Sequence, residues 1–429
     1  MSEFKGESAL PFSLSTVILL VLVTAHMWFS QVVSALMVTL IAAYVILDIC
    51  FPFTQLADPS KRDQRVFLAK FAIVLLLVLL VVFVPTGWEM LARIEEGSAT
   101  HANDGLVQTE IAIEYLLEGK NPYTETYLGT PLEAWQGGEP PFTPVFGPLY
   151  HYVYLPFTFL LGAPLYLLTN QWGWYDQRLV HMILFALTML LLTQLARTQQ
   201  RQLLLLMIVG FNFLFVFHFI EGRNDIAILV WMVLATLFLA KGHVRWAALV
   251  LGLALATKHQ AWFFLPFFMA YTAVRPFSPE TIRSWLKNLW PMATVLLLVI
   301  GPFFLWDPTS FFQDTTGYIV GLSEFSFPIR GIGFSHLLVA TGLLPSYEAS
   351  FPFIVLSLLF GIPVMAYGLR LQWRANTLRN MWMAFAFFAF TFQYFSRFFN
   401  DNYFVFVVLS LSIAAFIDID QVTTHEIVI

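Results

Sequence analysis

The sequence predicts an all-α polytopic membrane protein, a bundle of about 12–14 transmembrane helices. Three observations carry that prediction. Of 429 residues, 59% are hydrophobic and only 11% charged, whereas a soluble domain carries about 25% charged residues. The mean hydropathy is +0.73. Apolar runs of about 15–22 residues recur along the chain, and in lipid such runs close their backbone hydrogen bonds as helices. A net charge of −5 with no basic stripe gives nucleic acid nothing to bind. The single cysteine, Cys50, excludes an internal disulfide and a cysteine-rich metal site. No internal repeat or soluble segment interrupts the pattern, so residues 1–429 read as one integral-membrane domain.

Residues 13–33 and 34–53 read as two spans joined by a tight turn near Trp28-Phe-Ser-Gln31. The first is expected to be a retained anchor, because no small-residue cleavage site follows it. Lys61, Arg62, Arg65 and Lys70 form a basic cluster that the positive-inside rule assigns to the cytoplasm. A span at 67–87 then leads outward into a long acidic loop, 88–141, rich in glutamate up to Glu139. Counting back from the C-terminus, Arg370, Arg374 and Arg379 belong inside, as do Arg275, Arg283, Lys287, Lys241 and Arg245. That choice puts 221–225, 258–260, 307–335 and 397–402 outside, on the face of the acidic loop. Residues 142–168 hold Pro144, Pro148, Pro156 and Pro164; each interior proline removes a helix hydrogen bond. The segment reads as two short spans or as a re-entrant hairpin.

Within the acidic loop, Asp104 to Gly119 reads as an amphipathic helix lying along the membrane interface. Val107, Ile111 and Tyr115 share one face, and Glu110, Glu114 and Glu118 make a solvated one. Gly119 followed by Asn121-Pro122 stops it. Asp104 has two readings, a helix N-cap or a general base at the membrane surface. His101 either tunes that carboxylate or is a solvated loop residue.

Asp104, then Leu117-Glu-Gly-Lys-Asn-Pro-Tyr123, then Pro140-Pro141-Phe before an apolar run, resembles the GT-C glycosyltransferases. Gly222-Arg-Asn-Asp225, and Ala254-Leu-Ala-Thr-Lys258-His-Gln260 followed by Leu265-Pro266, are similar to the polyprenyl-phosphate-sugar branch of bacterial enzymes. That branch includes mannosyltransferases and arabinofuranosyltransferase-like proteins. The resemblance spans roughly residues 70–275 and rests on the order of short motifs. It implies sugar transfer, usually inverting, from a polyprenyl-phosphate donor to a hydroxyl of a lipid or glycan acceptor. It implies an outward-facing site in a bacterial plasma membrane, and it maps the family's catalytic carboxylate onto Asp104.

An in-line displacement at the anomeric carbon needs a base and a stabilised leaving group. Asp104 supplies the first; fixed cations in a dry site supply the second. Lys258 is the leading cation, read otherwise as a helix-end lysine snorkelling to the headgroups. Arg223 offers a planar fork for phosphate, and Arg330 in Phe327-Pro-Ile-Arg330-Gly331 is a further candidate. Asp225 either caps the following helix or, with Asn224, His259 and Gln260, binds sugar hydroxyls. His336, and Arg397, Asn400, Asp401 and Tyr403 of the last outer loop, are the remaining sugar or acceptor candidates, each also readable as a solvated turn residue. No cofactor is required, because phosphate is a competent leaving group; a divalent cation between Asp104 and Asp225 stays open. No Gly-rich loop follows a strand, which disfavours a nucleotide donor. Two other classes compete: a transporter or flippase of a lipid-linked saccharide, and a polysaccharide ligase or phosphotransferase.

Overall fold

The computed structural model describes residues 13–27, 30–51, 60–97, 100–137 and 146–419. Trp28 and Phe29 of the first turn, and Glu139, Pro140, Pro141 and Pro144 of the long loop, lie outside the described residues. The polypeptide is helical almost throughout, as expected. Helices α1 (Leu14–Thr24) and α2 (Gln31–Cys50) precede α3 (Lys61–Val78), which Ser60 and Asp63 start with a reciprocal capping box. A π turn at Leu79–Phe83 joins α3 to α4 (Val84–Glu96). Proline at position 85 cannot donate to the preceding turn, and the π turn directly before it absorbs that lost bond. The helix therefore runs on to Glu96, past the boundary expected near residue 87.

Lys70 departs from the sequence reading. It is not a solvated cytoplasmic cation but is fully buried, 2.6 Å from Asp48 of α2. Thr16 donates its hydroxyl to the same carboxylate at 2.6 Å, and the Ser13 amide does so at 2.7 Å. Lys61, Arg62 and Arg65 remain exposed.

Helix α5 (Asp104–Leu117) ends where Gly119 takes φ +76°, as its sequence predicts. Among the described residues, the proline-rich stretch holds a short 3-10 turn at Gly147–Leu149 and one α-helix. Residues 150–156 run without regular structure, and then α6 (Phe157–Thr169) follows with Pro164 inside it. Helices α5 and α6 pack on each other around an aromatic core of Tyr123, Tyr127, Tyr152, Phe159, Phe303 and Phe311. Buried tyrosines must place their hydroxyls. Tyr123 donates to the Tyr154 carbonyl at 2.8 Å and Tyr127 to the Pro122 carbonyl at 3.2 Å.

The larger core is aliphatic. It gathers α7 (Arg178–Leu192), α8 (Gln199–Gly210), α9 (Phe213–Ile220), α10 (Asp225–Ala240) and α11 (Val244–Leu255). Helix α12 (Leu265–Thr272) and α13 (Pro279–Val299) follow, then α14 (Gly301–Trp306), α15 (Pro308–Phe312) and α16 (Tyr318–Val320). Among the described residues, α17 (Phe334–Ala340), α18 (Phe353–Arg374), α19 (Leu378–Tyr394) and α20 (Asp401–Phe416) come last. Helix α10 is buried along most of its length and packs against α11 and α7. Two short strands, β1 (Arg330–Gly331) and β2 (Phe398–Phe399), pair in parallel and tie the loop before α17 to the loop before α20. By length and composition four described helices could cross a membrane, or five if the bent α8–α9 pair is one span; α1, α10, α11 and α20 are shorter apolar helices.

Candidate active site

Three helices start at one cavity, and each starts the same way. Asn103-Asp104, Asn224-Asp225 and Asn400-Asp401 are the three Asn–Asp pairs in the chain. In each, the asparagine is the N-cap and the aspartate the first helical residue, of α5, α10 and α20 respectively. Asp104 is thus not the N-cap that its position suggested: Asn103 takes that place, the Gly105 amide reaches both Asn103 Oδ1 at 3.1 Å and Asp104 Oδ1 at 2.7 Å, and Asp104 lies half-buried on the cavity wall. Helix N-termini carry partial positive charge and unsatisfied amides, so the three ends together favour anionic groups.

The cavity has a volume of about 720 Å³. Asp104, Arg223, Asn224, Lys258, His259, Gln260, Arg330, His336, Arg397, Asn400, Asp401 and Tyr403 all line it. Asp225 sits directly behind: its Oδ1 takes the Lys258 ammonium at 2.6 Å, and its Oδ2 takes the Asn402 amide at 2.6 Å. The fold therefore collects segments that are far apart in sequence, those at 104, 221–225, 258–260, 330 and 397–403.

The geometry corrects several expectations. Lys258 is not an open cation. It is buried, bonded to Asp225 and to Asn224 Oδ1 at 3.0 Å, with the rings of Tyr403 and Tyr154 at 5.3 and 5.9 Å. Both oxygens of Asp225 are engaged, by Lys258 and by Asn402. Among the described residues, no group of three or more His, Cys, Asp or Glu could hold a metal ion. Arg397 spends its guanidinium on backbone: its Nε donates to the Phe327 carbonyl at 2.6 Å and its terminal nitrogens to Ala349 and Glu348 at 3.0 and 3.3 Å. It is a tether that folds the 327–349 segment over the cavity. His101 is turned away from Asp104, held by Glu89 at 2.6 Å and Glu96 at 3.0 Å. Those two carboxylates raise its pKa above the ordinary histidine value.

Arg223 keeps one face on the cavity while Glu221, Asn402 and Asp401 hold it from behind at 3.3, 3.2 and 3.9 Å. Gly222, at φ +92°, shapes this turn, since a β-carbon there would run into Leu106 of α5. The close approach brings the Arg223 turn against the Asp104 helix.

Four charged residues fix that approach, none of them foreseen as a group. Glu110 was expected on a solvated face, yet it is buried and takes both terminal nitrogens of Arg93, at 3.0 and 2.5 Å. Arg93 also reaches Asp176 at 2.9 Å, and Asp176 receives two bonds from the fully buried Arg178. Arg178 then donates to the His101 carbonyl at 2.8 Å and the Ile220 carbonyl at 3.1 Å. One guanidinium so clamps the two limbs that carry Asp104 and Arg223. Helix α5 is consequently embedded against protein on both faces, while Glu114 and Glu118 stay exposed as predicted.

Gln108 and His151 complete the wall. Gln108 donates to the Pro148 and His151 carbonyls at 2.6 and 2.7 Å. His151 bonds the Asp314 carboxylate at 2.8 Å through Nδ1 and the Glu324 carbonyl at 2.5 Å through Nε2. These two contacts favour the protonated ring. Burial opposes that charge, but Asp314 and the Glu324 carbonyl outweigh it and raise the pKa. The roles of these residues were invisible to sequence reading because single Gln, His and Asp residues far apart in the chain carry no spacing signal. The repeated Asn–Asp pair was a signal, and it marks all three helix starts.

An all-α polytopic protein with polar segments converging on one cavity is thus the class that the fold and site define. Residues 115–274 match the model of the family described as alpha-(1->6)-mannopyranosyltransferase, N-terminal domain. That segment holds Arg223, Asp225, Lys258, His259 and Gln260, but ends before Arg330 and begins after Asp104. The similarity supports a glycosyltransferase, and with it a sugar donor and an acceptor. No curated protein and no solved structure matches the chain.

Proposed function

We propose that the protein transfers a sugar from a polyprenyl-phosphate donor to an acceptor hydroxyl, with Asp104 as the general base. One observation carries the reading: a single cavity brings the Asp104 carboxylate together with Arg223, Lys258 and Arg330. A base and a cationic wall on opposite limbs suit an in-line displacement, where the nucleophile loses a proton as phosphate leaves. The Arg223 fork and Arg330 take the departing phosphate. Lys258, neutralised by Asp225, serves mainly to set the α10 start and the Arg223 turn. The reaction needs no metal, because phosphate leaves without one. We place the site on the outer face of a bacterial plasma membrane, where the acidic 88–141 loop belongs by the positive-inside rule, and its donor arrives laterally from the bilayer.

The test is transfer by the purified protein in lipid vesicles, with a panel of radiolabelled polyprenyl-phosphate sugars and membrane-extract acceptors. Label entering a new product with the native chain, and falling by about 10²–10⁴-fold in Asp104→Asn, is the expected result. Full turnover by Asp104→Asn removes that residue from the role of base. Label crossing the bilayer without entering a product replaces transfer with transport.

A further inference from the structure

Two cations at the cavity wall share the same pair of carboxylate oxygens. Glu221 Oε2 lies 3.2 Å from His218 Nδ1 and 3.3 Å from Arg223 Nε. Asp401 Oδ1 lies 3.3 Å from His218 Nε2 and 3.9 Å from Arg223 Nη1. The two contacts of Glu221 are hydrogen bonds, and the two of Asp401 are charge contacts. His218 is 3% exposed, in the last turn of α9, and the Arg223 amide donates back to its carbonyl at 2.9 Å. Of these four residues, Arg223 and Asp401 line the cavity; His218 and Glu221 stand behind it.

A carboxylate facing each ring nitrogen is the arrangement an imidazolium makes, since both of its nitrogens donate. With His218 protonated, two cations meet two carboxylates and the cluster is neutral. With the ring neutral, the same two carboxylates face one cation. That draws the guanidinium back onto Glu221 and Asp401, and it leaves net negative charge beside the cavity. The other charges acting on Arg223 are Asp225 and Asp104, and Lys258 already neutralises the first. Helix α4 also packs on α9, but its Glu89 and Arg93 are committed to His101 and Glu110. The charge of His218 therefore sets how much of Arg223 is left for an anion in the cavity.

We propose that His218 is a positioning residue for Arg223: by sharing Glu221 and Asp401 with it, the imidazolium frees the guanidinium to meet an anionic phosphodiester, and its deprotonation withdraws that fork. This rests on reading Arg223 as the fork for the donor phosphate and adds the residue that controls it. His218 touches no ligand and acts only through the two carboxylates.

Binding of methyl farnesyl phosphate to the full chain in phosphatidylcholine nanodiscs tests it. The probe is a phosphodiester without a sugar, so its single negative charge is constant between about pH 5 and 8, where histidine changes charge. In the native chain its Kd rises by about three- to tenfold across that window, the carboxylates being partly solvated. His218→Gln binds throughout as weakly as the native chain does at the alkaline end. Adding Glu221→Gln to His218→Gln restores the tight binding, because one carboxylate now leaves with one cation; a merely structural histidine is not repaired that way. Glu221→Gln alone binds at the alkaline end as tightly as the native chain does at the acid end. Weaker binding there overturns the proposal even if His218→Gln does not fold. So does a native Kd that ignores pH, a pH slope that survives in His218→Gln, no rescue in the double variant at native Tm, or no binding at any pH. If label is transferred but donor affinity is the same at every pH, the role of His218 falls and the transfer reading stands. If the phosphodiester binds as described and no label is ever transferred, the role of His218 stands and the transfer reading falls.

Discussion

Two buried lysine–aspartate pairs in this protein are nearly identical as pairs and opposite in setting. Lys70–Asp48 and Lys258–Asp225 both close at 2.6 Å. The first is sealed. Its two side chains have no exposure, its neighbours come from α1 to α3, and Ser13 and Thr16 fill the remaining acceptor sites of Asp48. The second is partnered by Asn224, next to Asp225 in the chain, and by Asn402 and the ring of Tyr403 from the distant start of α20, and it opens onto the cavity. A buried ion pair is therefore no mark of a site by itself. What differs is whether the fold leaves an empty volume beside the pair and aims other polar groups into it.

The comparison breaks first at single truncations. Lys70→Ala and Lys258→Ala each strand a buried carboxylate, at a cost of about 3–5 kcal/mol. Thermal unfolding in nanodiscs shows both losses, but only Lys258→Ala also abolishes transfer by the protein that remains folded. Replacing both partners sharpens the contrast. Asp48→Leu with Lys70→Met restores stability to within about 1–2 kcal/mol and preserves transfer, since buried pairs exchange well for apolar residues. Asp225→Leu with Lys258→Met recovers stability equally and transfers nothing. Equal activity in the two double variants would make the second pair as purely structural as the first.

A smaller effect tests the junction between the two limbs of the site. Gly222→Ala must adopt a left-handed backbone and displace Leu106, which costs about 1–3 kcal/mol. It moves the Arg223 turn from α5, so transfer falls further than stability. Arg178→Gln separates the same limbs from the other side, and lowers turnover more than donor binding.

The smallest effect is a pH dependence at the rim. The His101 pKa is raised in the folded protein, chiefly by Glu89 and then Glu96. That clasp contributes fully below the unfolded value near 6.5 and is lost as pH rises through the raised folded value. Glu89→Gln shrinks this slope in the unfolding curve. An unchanged slope would place the pH dependence elsewhere.

Composition and hydropathy alone determined the class of fold, because a chain this apolar has few ways to satisfy its backbone in lipid. Local pattern also fixed the stop of α5 at Gly119, whose φ +76° needs only neighbouring residues to explain it. Charge asymmetry between loops assigned 221–225, 258–260, 307–335 and 397–402 to a common side, and residues from each of them line the one cavity. The sequence could not show which polar residues spend their bonds inward. Glu110 looked solvated and Lys70 cytoplasmic because helical periodicity sees one helix at a time, whereas Arg93 and Asp48 reach them from others. Arg397 looked like a ligand group until its donors met three carbonyls 48 to 70 residues away. Hydrogen bonds of that kind depend on which segments become neighbours, and only tertiary packing decides it.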